Sequence, residues 1–285
     1  MANPCTTGNS LPPLRARGFF LPREHGAWGM LLVPLVTGAA AGAPSGERIV
    51  WILLFAAVAL GLLCLRTPVE AGLGISPLRP QNEAERKLLH YSIYTYASVT
   101  VLALTVLLQQ AHAYGLLLLG AAAALAFLLQ VILKKIGRST RMNAQLAGAV
   151  ALSSTSAGAY YLATGHFGRT AAIIWLANWL FAANQIHFVQ LRIHSARASA
   201  RSEKFRLGKG FLLHQAACLL LLAFIWRAGW LPALILMAFA PLFLRGIAWF
   251  LDPPRPLQVR RLGVRELVYA IVFGVFFVAG YHPVW

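Results

Sequence analysis

The chain has 285 residues, and its composition is unlike that of a soluble domain. It is 59% hydrophobic and only 12% charged, whereas soluble domains are about 45–50% apolar and about 25% charged. The mean hydropathy is +0.66, and the apolar residues gather in blocks of about 20, the length that crosses a hydrocarbon core. A soluble globular fold is therefore excluded, and so is a disulfide framework, because the three cysteines show no paired spacing.

The apolar blocks predict an all-α integral membrane protein with nine transmembrane helices. Residues 1–20, with Pro4, Pro12 and Pro13, are expected to form a disordered tail, and 21–285 to form one transmembrane domain. The approximate predicted spans are 26–43, 49–65, 91–108, 114–133, 144–163, 170–191, 211–227, 231–250 and 266–282. Short and long connections alternate, so one membrane face is expected to carry all the long polar loops.

The basic residues predict the orientation of these helices. With the N-terminus on the cytoplasmic side, only Arg48, Arg169 and Arg227 of the 25 Lys and Arg residues fall outside, which leaves 22 inside. The positive-inside rule then predicts a cytoplasmic N-terminus and an outside C-terminus. The net charge of +17 follows from this distribution. We therefore expect contact with the lipid bilayer and no nucleic-acid partner.

Charged and imidazole groups gather at the predicted cytoplasmic helix ends, where they could line a cavity open to the cytosol. The candidate acid–base residues are His25, Glu24, Glu70 and His187. The candidate ligand-binding residues are Arg23, Trp28, Arg66, Arg79, Asn184, Gln190, Arg192, His194, Arg265 and Glu266. A structural reading stays open for each: arginines at helix ends reach the interface anyway, and Glu24 and Glu266 are placed at helix N-termini, where the macrodipole favours an acid.

Helix 6 carries the densest polar pattern. At 100° per residue, Asn184, His187, Gln190 and His194 fall within a third of the circumference, so this stripe is expected to face the bundle interior. The chain has no HxxxH or HExxH pair, and no metal site is predicted. Whether a cofactor is bound is left open. None of the eight acids lies at the bilayer centre, which argues against a cation-coupled transporter.

The run Pro22-Arg23-Glu24-His25-Gly26-Ala27-Trp28-Gly29-Met30, with the apolar segment to Pro34 and Gly38, resembles the start of the YwiC-like family of bacterial membrane proteins. The end of helix 6 through Arg192 and the Arg265-Glu266-Leu267 opening of helix 9 also fit. The resemblance implies a multi-pass protein of the bacterial cytoplasmic (inner) membrane. It implies no settled activity.

A looser likeness of architecture is to the UbiA-type intramembrane prenyltransferases, whose nine helices carry functional motifs after helices 2 and 6. Their acidic pattern, laid on Asn184, gives Gln185, Phe188 and Arg192 where acids should hold magnesium on a diphosphate. The end of helix 2 offers only Glu70. The likeness therefore implies an amphiphilic ligand, such as an isoprenoid, quinone or porphyrin, held by arginines rather than magnesium-dependent prenyl transfer.

Three functions stay open at this point. The first is a UbiA-like enzyme or binder of such an amphiphile. The second is a non-catalytic membrane subunit whose cytoplasmic loops, chiefly the basic segment 192–210, dock a protein partner. The third is a small-anion transporter.

Overall fold

A computed structural model describes residues 25–74, 80–196, 200–253 and 257–282. Within these ranges the chain forms nine α-helices and a 3-10 turn at Arg138–Thr140. The helices are α1 His25–Ala41, α2 Glu47–Gly72, α3 Glu83–Gln110, α4 Gly115–Ile136, α5 Arg141–Thr164, α6 Arg169–His194, α7 Arg201–Arg227, α8 Ala233–Leu251 and α9 Val259–Tyr281. The predicted tail 1–20 and the predicted site residues Arg23, Glu24 and Arg79 lie outside the described residues.

Seven of these helices are long and apolar enough to cross a membrane, which confirms the all-α, multi-pass prediction. The other two are α1, with only 17 residues, and α5, whose middle carries the polar run Ser153-Ser154-Thr155-Ser156. Nine spans and their orientation therefore stay predictions.

Helices α2 and α6 each run antiparallel to α5, as contacts at the two ends of the bundle demonstrate. At one end, Arg48 at the start of α2 donates to the Ala163 carbonyl near the end of α5, at 2.6 Å. At the other end, the Gln190 amide near the end of α6 donates to Gln145 near the start of α5, at 2.8 Å. The second end is the one predicted to be cytoplasmic.

The central helices are α5 and α6. α5 packs on α1, α2, α4 and α6, and two tryptophans one turn apart join it to α6. The indole of Trp175 donates to the Val150 carbonyl at 2.9 Å, and that of Trp179 to the Leu146 carbonyl at 3.3 Å. These bonds fix the register of the two helices, because two indoles one turn apart on α6 meet two carbonyls one turn apart on α5.

The close packing of α1 on α5 depends on glycine. A Cβ at Gly38 would collide with the backbone carbonyl of Ser156, so the two backbones approach closely here. Such small-residue contacts drive helix association in membranes, where no hydrophobic force joins helices. The hydroxyl of Thr155 adds a bond to the Leu31 carbonyl across the same interface, at 3.1 Å.

Three helices begin well before their predicted starts at the charged end of the bundle. α3 begins at Glu83 instead of 91, α7 at Arg201 instead of 211, and α9 at Val259 instead of 266. The prediction that Glu266 lies at a helix N-terminus is therefore wrong, since two turns of α9 precede it. Hydropathy marks only the part of a helix that suits hydrocarbon, while the backbone hydrogen bonds continue through the polar turns.

Candidate functional site

A pocket of about 270 Å³ lies at the predicted cytoplasmic end, between the ends of α6 and α8 and the beginnings of α7 and α9. Its charged lining residues are Arg192, Lys204, Arg245, Asp252, Arg261, Arg265 and Glu266. Its apolar and aromatic lining residues include Phe188, Trp249, Leu257, Leu262 and Tyr269. The pocket thus brings together three of the predicted site residues: Arg192, Arg265 and Glu266.

Arg245 forms the floor of the pocket and ties three helices together. The carbon of its guanidinium lies 4.0 Å from the ring centre of Phe188 on α6 and 4.9 Å from that of Tyr269 on α9. Its Nη1 atom donates to Glu266 at 2.5 Å and its Nη2 atom to Asn184 at 3.1 Å. Two rings and two hydrogen bonds therefore hold this buried arginine against α6 and α9.

Three buried polar atoms around this floor make no hydrogen bond within the described part of the chain. They are Nε of Arg245, Oε1 of Glu266 and Nδ2 of Asn184. Buried polar groups are nearly always satisfied, so unpartnered ones call for an explanation. The floor of the pocket therefore has two donor atoms and one acceptor atom that no described residue bonds.

Lys204 closes the pocket on the α7 side. It is only 3% exposed, and its ammonium donates to the backbone carbonyls of Trp249 and, at 2.8 Å, Asp252. Arg201 donates to the Leu251 carbonyl at 3.1 Å. Both cations therefore cap the C-terminal end of α8, where unpaired carbonyls and the helix dipole favour positive charge.

Three other arginines line the pocket and differ from Lys204 and Arg201 in their contacts. Arg192, Arg261 and Arg265 make no hydrogen bond or ion pair with any described residue. Arg192 interacts with Arg265 as a like charge and with Asp252 as an opposite charge, and the Asp252 carboxylate forms no ion pair in the described ranges either. Two unpaired guanidinium groups that repel each other across a pocket are the donor set that an anion would satisfy.

The polar stripe of helix 6 does not face one cavity. Asn184 is buried and accepts from Arg245, whereas Gln190 bonds Gln145 on α5. His187 stacks on His214 of α7, with ring centres 3.9 Å apart. His194 is exposed and contacts its own helix at the Gln190 carbonyl. The residues of the stripe thus contact three different helices, α5, α7 and α8. Of the four, only Asn184 adjoins the pocket floor.

Glu70 and Arg66 belong to a separate cluster. Glu70 accepts from Arg66 and from Lys134 of α4, both at 2.9 Å, so this carboxylate joins α2 to α4. Trp28 packs with the apolar cluster of α1 and α2 around Leu31 and Leu63. His25 begins α1, and its side chain lies outside what the structure describes.

Arg245 and Lys204 are pocket residues that the sequence does not predict. A lysine or arginine near a helix end is explained by topology alone, and only its burial reveals another role. The one available sign was that Arg245 follows an uninterrupted apolar stretch, Ala233 to Leu244. Among the described residues, no three His, Cys, Asp or Glu side chains converge as a metal site would require.

Comparison with known proteins gives two similarities. The sequence model of the YwiC-like protein family matches residues 21–161. The Bacillus subtilis (strain 168) protein named "Uncharacterized protein YwiC" is 25% identical over 260 residues, which are 89% of this chain and 94% of that protein. No solved structure matches the chain. Neither similarity is to a UbiA-type prenyltransferase, so that likeness stays a prediction.

Proposed function

We propose the function from the pocket, because the name of the YwiC-like family, to which the chain is similar over residues 21–161, states no activity: the chain binds an amphiphile with an anionic head group. The observation that carries the proposal is the pair Arg192 and Arg265, two unpartnered guanidinium groups beside an aromatic wall. Arginine presents its donors in a planar fork that matches phosphate or carboxylate oxygens. The head would lie between these two side chains.

The apolar wall supports an amphiphile rather than a small free anion. Phe188 and Trp249 line the pocket and belong to an apolar cluster of α6, α7 and α8. Ligand sites that bury most of a small molecule are usually lined by apolar and aromatic groups with few polar anchors. A tail on this wall and a head on the arginines would use both parts of the lining.

The position of the pocket supports the same proposal. It lies at the basic end of the bundle, which the charge distribution predicts to lie at the cytoplasmic leaflet, and we propose the bacterial inner membrane as the location of the protein. Anionic lipid heads of that leaflet are attracted by basic groups near the surface. We propose binding, and we assign no reaction.

The experiment is a binding measurement on the full chain in a neutral detergent. Titration with dioctanoyl phosphatidate is expected to give saturable binding, and dioctanoyl phosphatidylcholine is expected to bind at least tenfold more weakly. Inorganic phosphate at the same concentration should not compete, because it cannot use the apolar wall. Equal binding of the two lipids, or full competition by inorganic phosphate, contradicts the proposal.

The matched variants are Arg192→Gln with Arg265→Gln, and Arg206→Gln as the control. Arg206 is an exposed residue of α7 that does not line the pocket. The double variant should lose phosphatidate binding by more than tenfold, since each charged hydrogen bond contributes about 1.5–3 kcal/mol. The control variant should bind as the unchanged chain does.

A further inference from the structure

We infer that the head group of this ligand is a doubly charged phosphate monoester, an inference that rests on the proposed function and narrows it. The argument begins with the charges of the lining that the protein neutralises itself. Arg245 and Glu266 form an ion pair with each other. The Lys204 ammonium is bound by carbonyls at the end of α8, where the macrodipole supplies about half a negative charge.

The remaining charges are those that face a ligand. They are three arginines, Arg192, Arg261 and Arg265, and one carboxylate, Asp252. Three positive charges against one negative charge leave two positive charges on these four residues, in addition to the charge of about one half that Lys204 keeps. A phosphate monoester carries about −1.5 to −2 charges at pH 7, whereas a phosphodiester or a carboxylate carries one. The monoester is therefore the better match in charge.

The geometry of the donors favours the same head group. Arg261 and Arg265 are four residues apart on α9 and lie on one face of that helix, while Arg192 approaches from α6. A phosphate monoester has three terminal oxygens that accept strong hydrogen bonds, one for each of these forks. A phosphodiester has only two such oxygens, and one guanidinium would be left without an anionic partner.

The test compares two ligands that differ by one methyl ester. Dioctanoyl phosphatidate is a monoester, and dioctanoyl phosphatidylmethanol is its singly charged diester with the same acyl chains. One additional charged hydrogen bond predicts phosphatidate binding about tenfold tighter. A preference of at least threefold supports the inference, and a smaller or inverted preference overturns it. Such an overturning result leaves the proposed function standing if both lipids bind, whereas both proposals fail if neither binds.

The variant Arg261→Gln tests whether the positive charge of the pocket causes the preference for a monoester. Arg261→Gln leaves one uncompensated positive charge, which a single negative charge satisfies. We expect the preference for phosphatidate to fall below threefold, while phosphatidylmethanol binding changes by less than twofold. Unchanged binding of phosphatidylmethanol would show that the pocket of the variant is intact. The Arg206→Gln control should keep the full preference, and a full preference in Arg261→Gln would overturn the assignment of Arg261.

Discussion

The Nη1 atom of Arg245 lies 2.5 Å from the Oε2 atom of Glu266, and this contact joins α8 to α9 beneath the pocket. Only 6% of the Arg245 side chain and 12% of the Glu266 side chain are exposed. Removal of either partner from a buried ion pair leaves the other charge buried without compensation. The contact therefore decides whether the floor of the pocket holds its shape.

Removal of one partner from this pair should be strongly destabilising. Glu266→Leu leaves a buried arginine without its counter-charge, and the expected loss is about 3–5 kcal/mol in the free energy of unfolding. The double variant Arg245→Met, Glu266→Leu should lose less than the single variant, because no buried charge is left. Chemical unfolding in detergent measures both.

The exposed pair Lys87 and Glu83 is the matched control for that prediction. Its side chains are 78% and 82% exposed at an N···O distance of 3.2 Å. Surface ion pairs contribute about 0–1 kcal/mol, so Glu83→Gln should leave the unfolding curve nearly unchanged. Equal losses in the buried and exposed pairs would mean that the 245–266 contact does not form.

Gly38 should tolerate no side chain. Gly38→Ala places a methyl group against the Ser156 carbonyl, and overpacking of this kind is unfavourable by about 1–3 kcal/mol. Gly29→Ala in the same helix meets nothing within 4 Å, and its higher helix propensity should stabilise by up to about 1 kcal/mol. The difference in thermal unfolding between the two variants measures the contact, and equal midpoints would contradict it.

Lys204 should stabilise the bundle through the end of α8. Lys204→Met keeps the apolar stem and removes the bonds to the Trp249 and Asp252 carbonyls, with an expected loss of about 1.5–3 kcal/mol. Lys209→Met alters an exposed lysine of the same helix and should change stability by less than about 0.5 kcal/mol. Denaturant unfolding followed by tryptophan fluorescence compares them. A harmless Lys204→Met would show that the cap is dispensable.

The orientation can be tested by cysteine labelling of intact cells. Ser45→Cys lies in the connection between α1 and α2, and Ser202→Cys at the start of α7, each in a chain whose native cysteines are alanine. The excess of basic residues predicts that a membrane-impermeant maleimide labels position 45 in intact cells and position 202 only after lysis. The reverse pattern would invert the topology.

The sequence predicts the number and order of the helices well, because each apolar block is long enough to be recognised by itself. It fails at helix ends that continue into polar turns. Arg201 and Val259 begin α7 and α9, but the turns that follow them are charged and carry no hydropathy pattern. The helical continuation there depends on packing against other helices, such as that of Lys204 on the end of α8.

Three of the seven charged residues that line the pocket could be predicted in the same way. Arg192, Arg265 and Glu266 stand out as polar groups near apolar helix ends. The stripe of Asn184, His187, Gln190 and His194 was predicted to face one interior, yet its members contact different helices. Periodicity gives the face of a helix that is polar, whereas the neighbours that this face meets depend on crossing angles, which the sequence of one helix does not encode.

The polar centre of α5 has a consequence for biogenesis. This helix has Ser153, Ser154, Thr155 and Ser156 buried and lacks the apolar length of the seven candidate spans. Inserted by itself, it would expose these hydroxyls and small side chains to lipid. We therefore expect α5 to enter the bilayer as part of a group with the helices that cover it, which are α1, α4 and α6.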